Sequence, residues 1–586
     1  MTDFVHPAFI FILGALPIPF FTGPVRKAYL VLVPVLAVVV VLALEPGSYG
    51  ETQFLGQEIL IAKVDQLSTV FATVFTIMAL IGTVYAMHLS GAGQHVAAFV
   101  YVGSALGVVF AGDYLTLYLF WEGMAFASAY LVFAQGGGQA IRAAFRYLMV
   151  HVTGGVILLG GILLHGAAAG SLLFGPVEGA LDAGTYLILA GFLLNAAVPP
   201  LNAWLTDAYP EATVTGAVFM SAFTTKTAVY VLARAFPGIE LLVWLGTVMA
   251  LYGVIYAVLE NDCRRLLAYH IVSQVGYMVA GIGIGTELAV NGATSHAFAH
   301  ILYKGLLFMG AGAVIYVTGR RKLTELGGLY KAMPLTVALY MIGAFAISAF
   351  PFFSGFVSKS MVIAAAGQDH RALVMLALTM ASSGTFLHTG LKLPYYMFFG
   401  TDRGLQAREP PGNMLVAMGM AAALCIAIGV FPGPLYALLP YPVDFEPYTG
   451  VHVTESLGIL MFTALGFVIF LRALDPENTI SLDTDWFYRK GARAFMWFAE
   501  RPLARYEKAV SDVSETAVLP FLHGSARTGV RLDLNGVDGV VNGFARSILG
   551  GGSVLRRWQS GVVTHYVLAM IAGLIAAILV FAVVWR

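Results

Sequence analysis

The sequence predicts an all-α polytopic membrane protein of about 16 transmembrane helices. Three observations predict it. Of 586 residues, 59% are hydrophobic and 11% charged, against about 25% charged in a soluble protein. Apolar runs of roughly 20 residues, enough to cross the hydrocarbon layer as a helix, recur along the chain. They leave no room for the short alternating segments of a membrane barrel.

The runs fall near 5–22, 28–44, 65–89, 95–111, 113–134, 140–166, 184–206, 213–236, 238–259, 263–283, 288–317, 333–365, 371–399, 413–431, 453–473 and 561–585. The first lacks a basic flank and a cleavage site, so it reads as a retained helix. The formal net charge is zero, and nothing global points to nucleic acid. The two cysteines, Cys263 and Cys425, are far apart and form no CxxC pair, so this chain alone holds no iron–sulfur cluster or cysteine-rich zinc site. No nucleotide fingerprint is present. No metal, cofactor or catalytic centre is expected.

Loop charges set an orientation. Loops after odd-numbered runs carry Arg26 and Lys27, Arg142, Arg264 and Arg265, Arg320 to Lys322, Arg403 and Arg408. Loops after even-numbered runs carry Glu45, Glu51, Glu58, Glu178, Asp182, Glu240, Glu287, Asp444 and Glu446. Positive loops stay inside, which puts both termini outside the cytoplasm; the expected location is the inner (plasma) membrane. Arg234 and Arg371 are exceptions.

Two runs carry breaks. The seventh contains Asn195-Ala-Ala-Val-Pro199-Pro200, and the twelfth contains Ser348-Ala-Phe-Pro351 with Lys359 beyond. Proline frees a backbone carbonyl that protein or water must satisfy. Paired breaks five helices apart suggest two inverted five-helix repeats, with water or ion sites at Asn195, Pro199 and Pro351. Ordinary proline kinks would leave the same pattern.

Charged groups inside the runs mark a proton path. His296, His300 and Lys304 stand at i, i+4 and i+8 in the eleventh run. Each step of four turns ~40° and rises ~6 Å, so the three form one tilted stripe. A charge at mid-bilayer costs at least ~2.5–3.5 kcal/mol unless it faces protein or water. Glu122 and Lys226 lie mid-run, and Lys359 follows the second break. Removal from water moves acids and amines toward neutrality, where they exchange protons readily. Pairing Glu122 with Lys226 would instead restore both charges. Lys392, near the end of its run, reads as a lysine snorkelling to the surface.

Past residue 473 the chain turns polar. Trp486 to Thr516 interleaves aromatic and aliphatic residues with Arg489, Lys490, Arg493, Arg501, Arg505 and Lys508, as in an amphipathic helix on the membrane surface or on a neighbouring protein. The predicted organisation is N-terminal helices (1–94), two half-channels (95–236 and 237–400), additional helices (401–473), an amphipathic lateral region (474–560) and a last transmembrane helix (561–586).

These residues carry a resemblance. LFWEGMAFAS around Glu122, LNAWLTDAYPEAT, TTKTAVYVLAR around Lys226, NDCRRLLAYHIVSQVGYM, SHAFAHILYKGLLF and FPFFSGFVSK resemble, in this order, the antiporter-like membrane subunits. These are the D and A subunits of Mrp-type sodium/proton antiporters and the largest such subunit of respiratory complex I. The core resembles the Mrp D type most. The tail, through LDTDWFYRK, VDGVVNG and WQSGVVTHYVLAM, resembles the complex I type, whose long surface helix clamps its neighbours. The resemblance implies two half-channels joined by a mid-membrane line of protonatable residues: Glu122, Lys226, His296, His300, Lys304 and Lys359. It also implies other membrane subunits as partners, and protons and Na+ as transported ions, within the lipid bilayer. One position departs: the family's lysine nine residues before Trp204 is Asn195 here. Lys226 then takes over as partner of Glu122, or this half moves ions differently. The expected function is that of a proton-translocating subunit of a monovalent cation/proton antiporter of Mrp type. A subunit of a redox-driven pump (complex I-like or a membrane hydrogenase) or of an inorganic-carbon uptake complex is the alternative.

Overall fold

The computed structural model describes residues 4–54, 56–177, 179–477, 483–537, 539, 541 and 561–585. Glu178 and much of the VDGVVNG and WQSGVV motifs lie outside the described residues. The chain divides into two units, Met1–Trp486 and Phe487–Arg586.

In the first unit α1 (Pro7–Ala15) and α2 (Gly23–Ala43) lead into a hairpin of β1 (Gly47–Phe54) and β2 (Gln57–Val64). By its charged residues this stretch reads as a loop in the sequence. β2 buries Ile59, Leu60, Ala62 and Val64, and Gly56 takes the positive φ of the turn. Then follow α3 (Gln66–Ala86), α4 (Gly93–Phe110), α5 (Tyr114–Phe133), α6 (Gly137–Ala169) and the broken pair α7 (Ala183–Asn195) and α8 (Ala203–Ala208). The eighth run is also interrupted, at Phe223, between α9 (Val214–Ala222) and α10 (Thr224–Ala235). α11 (Glu240–Leu259), α12 (Cys263–Ile284) and α13 (Glu287–Thr318) precede the second broken pair, α14 (Pro334–Ile347) and α15 (Ser354–Gln368). α16 (Ala372–Thr385) continues as π-helix through Phe386–Lys392, and α17 (Gly412–Val430), α18 (Gly433–Tyr436) and α19 (Gly450–Ile469) follow.

The protein is polytopic and α-helical. Among the described residues thirteen helices are long and apolar enough to cross a membrane. The apolar helices at Pro7–Phe20, Ala183–Asn195 and Pro334–Ile347 are shorter, and the last two are the first halves of the broken runs. α10, α12 and α13 form the centre: every residue of α10 is buried, as is nearly all of α12. A polar residue placed on them meets protein rather than lipid.

The two breaks end their first helices in the same way and then diverge: Pro199–Pro200 is a cis bond, whereas Phe352, after Pro351, takes a positive φ of 72°. Ala197 and Ala349 both adopt positive φ, 59° and 55°. Ala197 N–H donates to Leu194 O (3.0 Å) and Val198 N–H to Leu193 O (3.2 Å); Ala349 N–H donates to Ala346 O (3.2 Å) and Phe350 N–H to Phe345 O (3.1 Å). A left-handed residue after the last turn ends a helix by satisfying its orphan carbonyls. A proline two residues on prevents resumption at once. At the second break Gly355 is obligatory, since a methyl there would meet Ala346 O at 1.8 Å.

At the end of this unit the Asp483 carboxylate accepts hydrogen bonds from the Tyr252 and Tyr269 hydroxyls. In the second unit α20 (Asp485–Phe498), α21 (Ala504–Val513) and α22 (Leu519–Leu532) are joined by π-helical turns into one helical run ending at Val537. The sequence predicts this amphipathic helix over a shorter range. α23 (Val563–Val584) is apolar, and none of its residues is buried within the described chain.

Candidate functional site: a buried polar axis

The stripe on α13 lies where the sequence places it. His296, His300 and Lys304 are all fully buried. His296 Nδ1 lies 3.1 Å from Ser358 Oγ on α15, and Nε2 lies 3.2 Å from Gln274 Oε1 on α12. Gln274 Nε2 donates onward to Thr385 Oγ1 on α16 at 3.3 Å. One histidine thus ties four helices together. Among the described residues His300 and Lys304 meet no hydrogen-bond partner. Buried polar groups of this kind are normally satisfied by water.

The other lysines share a device. Lys226 Nζ donates to Ser221 O at 2.6 Å, beside the interruption at Phe223. Lys359 Nζ donates to Ile347 O at 2.8 Å, on the last residue of α14, and lies over the Tyr277 ring. Lys392 Nζ donates to Val258 O at 2.6 Å, near the end of α11. Each takes a carbonyl that a helix end or interruption releases. Lys392 is therefore not the snorkelling lysine read from the sequence; it is 3% exposed. Lys304 has no such carbonyl. Lys226, Lys304 and Lys359 all lie within electrostatic range of His300.

The axis continues through residues that the sequence reading does not single out. His270 on α12 and His388 in the π-helical segment face each other with ring centroids 5.9 Å apart. Both are buried, with no hydrogen-bond partner among the described residues. His388 leads to Lys392. The signal is present in the sequence: His270 with Gln274, and His388 with Lys392, repeat the i, i+4 spacing of the α13 stripe.

In the first half Glu122 is the acidic end. Its Oε1 is buried without a partner among the described residues, in space that Gly155 leaves open; a methyl on Gly155 would meet Oε1 at 1.8 Å. No ion pair joins Glu122 to Lys226 among the described residues; Lys226 is turned to Ser221 O, so of the two alternatives the paired one is absent. Asn195 lies at the end of α7, and His151, another buried histidine absent from the sequence reading, has its Nε2 without a partner among the described residues. The His151 ring packs between Tyr147 and Trp204, with centroids 4.2 and 4.6 Å away. Trp204 Nε1 donates to Leu194 O, the carbonyl beside the first break, at 2.9 Å. Pro199 and Pro351 sit in the breaks.

Outside the membrane, Arg321 pairs with Glu211 and Asp262, both at 2.9 Å. Burial pushes its guanidinium down, but these two carboxylates outweigh it and hold Arg321 above its ordinary value. The clasp ties the loop after α13 to the starts of α9 and α12.

Residues 111–385 match the family described as NADH:quinone oxidoreductase/Mrp antiporter, TM. The chain is 31% identical over 352 residues to the D subunit of the Na(+)/H(+) antiporter of Alkalihalophilus pseudofirmus, covering 56% of this chain and 71% of that protein. It is 30% identical over 418 residues to hydrogenase-4 component B of Escherichia coli, covering 63% of this chain and 62% of that one. Against the A/B subunit of the probable K(+)/H(+) antiporter of Rhizobium meliloti the identity is 29%, and the chain spans 40% of that protein's length. Two solved structures share the fold. A chain of the membrane-bound sulfane sulfur reductase, an archaeal respiratory complex, superposes with a TM-score of 0.68 at 23% identity, covering 88% of this chain and 96% of that one. A chain of the Mrp complex from Dietzia sp. DQ12-45-1b gives 0.64 at 20% identity, covering 78% and 100%. The chain belongs to the antiporter-like membrane protein family shared by NADH:quinone oxidoreductases and Mrp antiporters.

Proposed function

We propose that this chain is the proton-translocating subunit of a multisubunit complex in the plasma membrane, a monovalent cation (Na+)/proton antiporter of Mrp type. The observation that carries this reading is the run of buried titratable groups from Lys226 through His300, Lys304 and Lys359 to His270, His388 and Lys392. Burial at this depth is costly and does little for stability, so transport is the better reason to keep these groups. Glu122 and His151 serve the first half-channel, within 95–236, and the α13 stripe with Lys359 the second, within 237–400. The repeated break motif supports an inverted repeat of these halves. The loop charges support termini outside the cytoplasm. Partners are other membrane subunits; protons and Na+ are the transported ions.

The second reading is the ion-translocating subunit of a redox-driven complex. The hydrogenase-4 relative and the fold shared with a respiratory complex favour it. Vesicles carrying the assembled complex test both. A sodium pulse should drive proton movement that Lys304→Ala abolishes. Wild-type movement in Lys304→Ala would overturn the axis, and movement driven only by an electron donor would select the second reading.

A further inference from the structure

A cavity of about 460 Å³ lies between α15, α16 and α19, and Lys359 lines it. Three more titratable side chains line it: His452 and Glu455 from α19, and Glu446 from the loop before it. Hydroxyls of Ser348 and Ser382 add to its wall. The cavity thus joins the polar axis at Lys359 to the loop 432–449 and the first turns of α19.

The local geometry fixes the imidazole. His452 Nδ1 lies 2.7 Å from Pro447 O, an acceptor, so Nδ1 carries the proton and Nε2 is left as the acceptor. The ring stacks on Phe356 at 4.6 Å and 19°. Phe356 precedes Lys359 by three residues, so both occupy one face of α15. The loop is held down as well: Phe352 N–H in the break donates to the Tyr448 hydroxyl at 3.2 Å, and that hydroxyl donates to Gly429 O. Glu455 stands in the second turn of a helix apolar enough to cross the membrane and forms no ion pair among the described residues. An ionisable residue in such a helix is a functional candidate by default.

We propose that α19 completes the ion path, with Glu455 and His452 exchanging protons with Lys359 through water in this cavity. The Lys359 ammonium gives its proton to cavity water, and the Glu455 carboxylate or His452 Nε2 takes it up. The acid so formed releases the proton to bulk water beside loop 432–449, and the neutral amine is recharged from the axis. On the axis side Lys359 faces the Tyr277 ring and lies within electrostatic range of His296; on the cavity side it faces Glu446, His452 and Glu455. The inference rests on Lys359 being a carrier, as proposed above.

The test uses vesicles holding the assembled complex. Lys359→Ala, Glu455→Gln and the double variant His452→Gln/Glu455→Gln are compared for proton movement across pH. Glu455→Gln should slow it about tenfold or more, the scale of losing one positioned proton carrier. Glu455→Asp should restore the rate with a displaced pH profile. Independently, Thr379→Cys in the cavity wall should react with a membrane-impermeant cationic thiol reagent added on the loop 432–449 side, and reaction should stop transport. If Lys359→Ala is inactive while the double variant runs at the wild-type rate, the inference falls and the axis stands. If Lys359→Ala itself runs at the wild-type rate, the underlying reading falls. Should the α19 variants fail to assemble, an unreactive Thr379→Cys overturns the cavity route.

Discussion

Gly155 and Glu122 act as one unit. The carboxylate occupies the space where a β-carbon would sit, and no described protein group satisfies its buried oxygen. Glu122→Ala should therefore abolish cation-dependent proton movement while the protein still assembles. Gly155→Ala adds one methyl and should expel the carboxylate, cutting the rate by an order of magnitude or more (~10-fold, within the range for losing a positioned proton carrier). Fluorescence quenching in vesicles, normalised to assembled protein, checks both; a normal rate in either would remove Glu122 from the path. At this scale the sequence is informative where polar residues interrupt an apolar run at helical spacing, as in His296, His300 and Lys304. It fails where tertiary contact decides. Glu122 and Lys226 look like a pair because both are lone charges in apolar runs. Only the interruption at Phe223, which frees Ser221 O, shows that Lys226 has another acceptor. Lys392 looks superficial because it is late in its run, yet the π-helical turn carries it inward to Val258 O.

Among the described residues the broken helices hold three of the four non-glycine residues with positive φ, Ala197, Ala349 and Phe352. An L-residue in the left-handed region costs roughly 1–2 kcal/mol, a penalty that glycine escapes. Ala197→Gly and Ala349→Gly should each raise the stability of the purified protein by about 1 kcal/mol, and by similar amounts, because their backbones match. Thermal unfolding in detergent measures this. A loss of stability at either site would mean that the methyl contributes packing that outweighs the strain. The prolines announce both breaks, but not the alanines, since nothing marks an alanine as left-handed before its neighbours are placed. The hairpin at 47–64 also escapes the sequence reading. An irregular connection of some 20 residues is rare in a compact fold, and Ile59, Leu60, Ile61 and Val64 in β2 have the composition of a strand. Both are signals in the sequence. The acidic residues there obscure them.

At the scale of the molecule, orientation is directly testable. Cys263 and Cys425 are fully buried, so single cysteines introduced elsewhere give clean labelling. Cysteines replacing Arg142 and Arg320 should resist an impermeant maleimide on intact cells, and one replacing Glu51 should react; the reverse pattern would invert the topology. The unit 1–486 ends with Asp483 held by Tyr252 and Tyr269. Removal of residues 487–586 should therefore leave a folded membrane core. It should also release neighbouring subunits, since no residue of α23 is buried within the described chain. An intact assembly on native gels would assign the partner contacts to the core instead. The helical class and the order of the runs are legible throughout, because bilayer thickness and hydropathy act locally along the sequence. The cavity below Lys359 is not, because it depends on how α19 leans on α15 and α16.

The repeated break has one more consequence. The two breaks end their first helices alike, but the carbonyl of Ile347 receives the ammonium of Lys359, while that of Leu194, one position earlier in the motif, receives the neutral indole of Trp204. The scaffold is thus duplicated while its charge is not. A duplicated track with a titratable amine at one break and an indole that cannot titrate at the other is uneven: a positive carrier moving along it meets different terrain in the two halves. Directionality would then be written in two side chains, and exchanging what each break holds would be the shortest route to a chain that conducts evenly both ways.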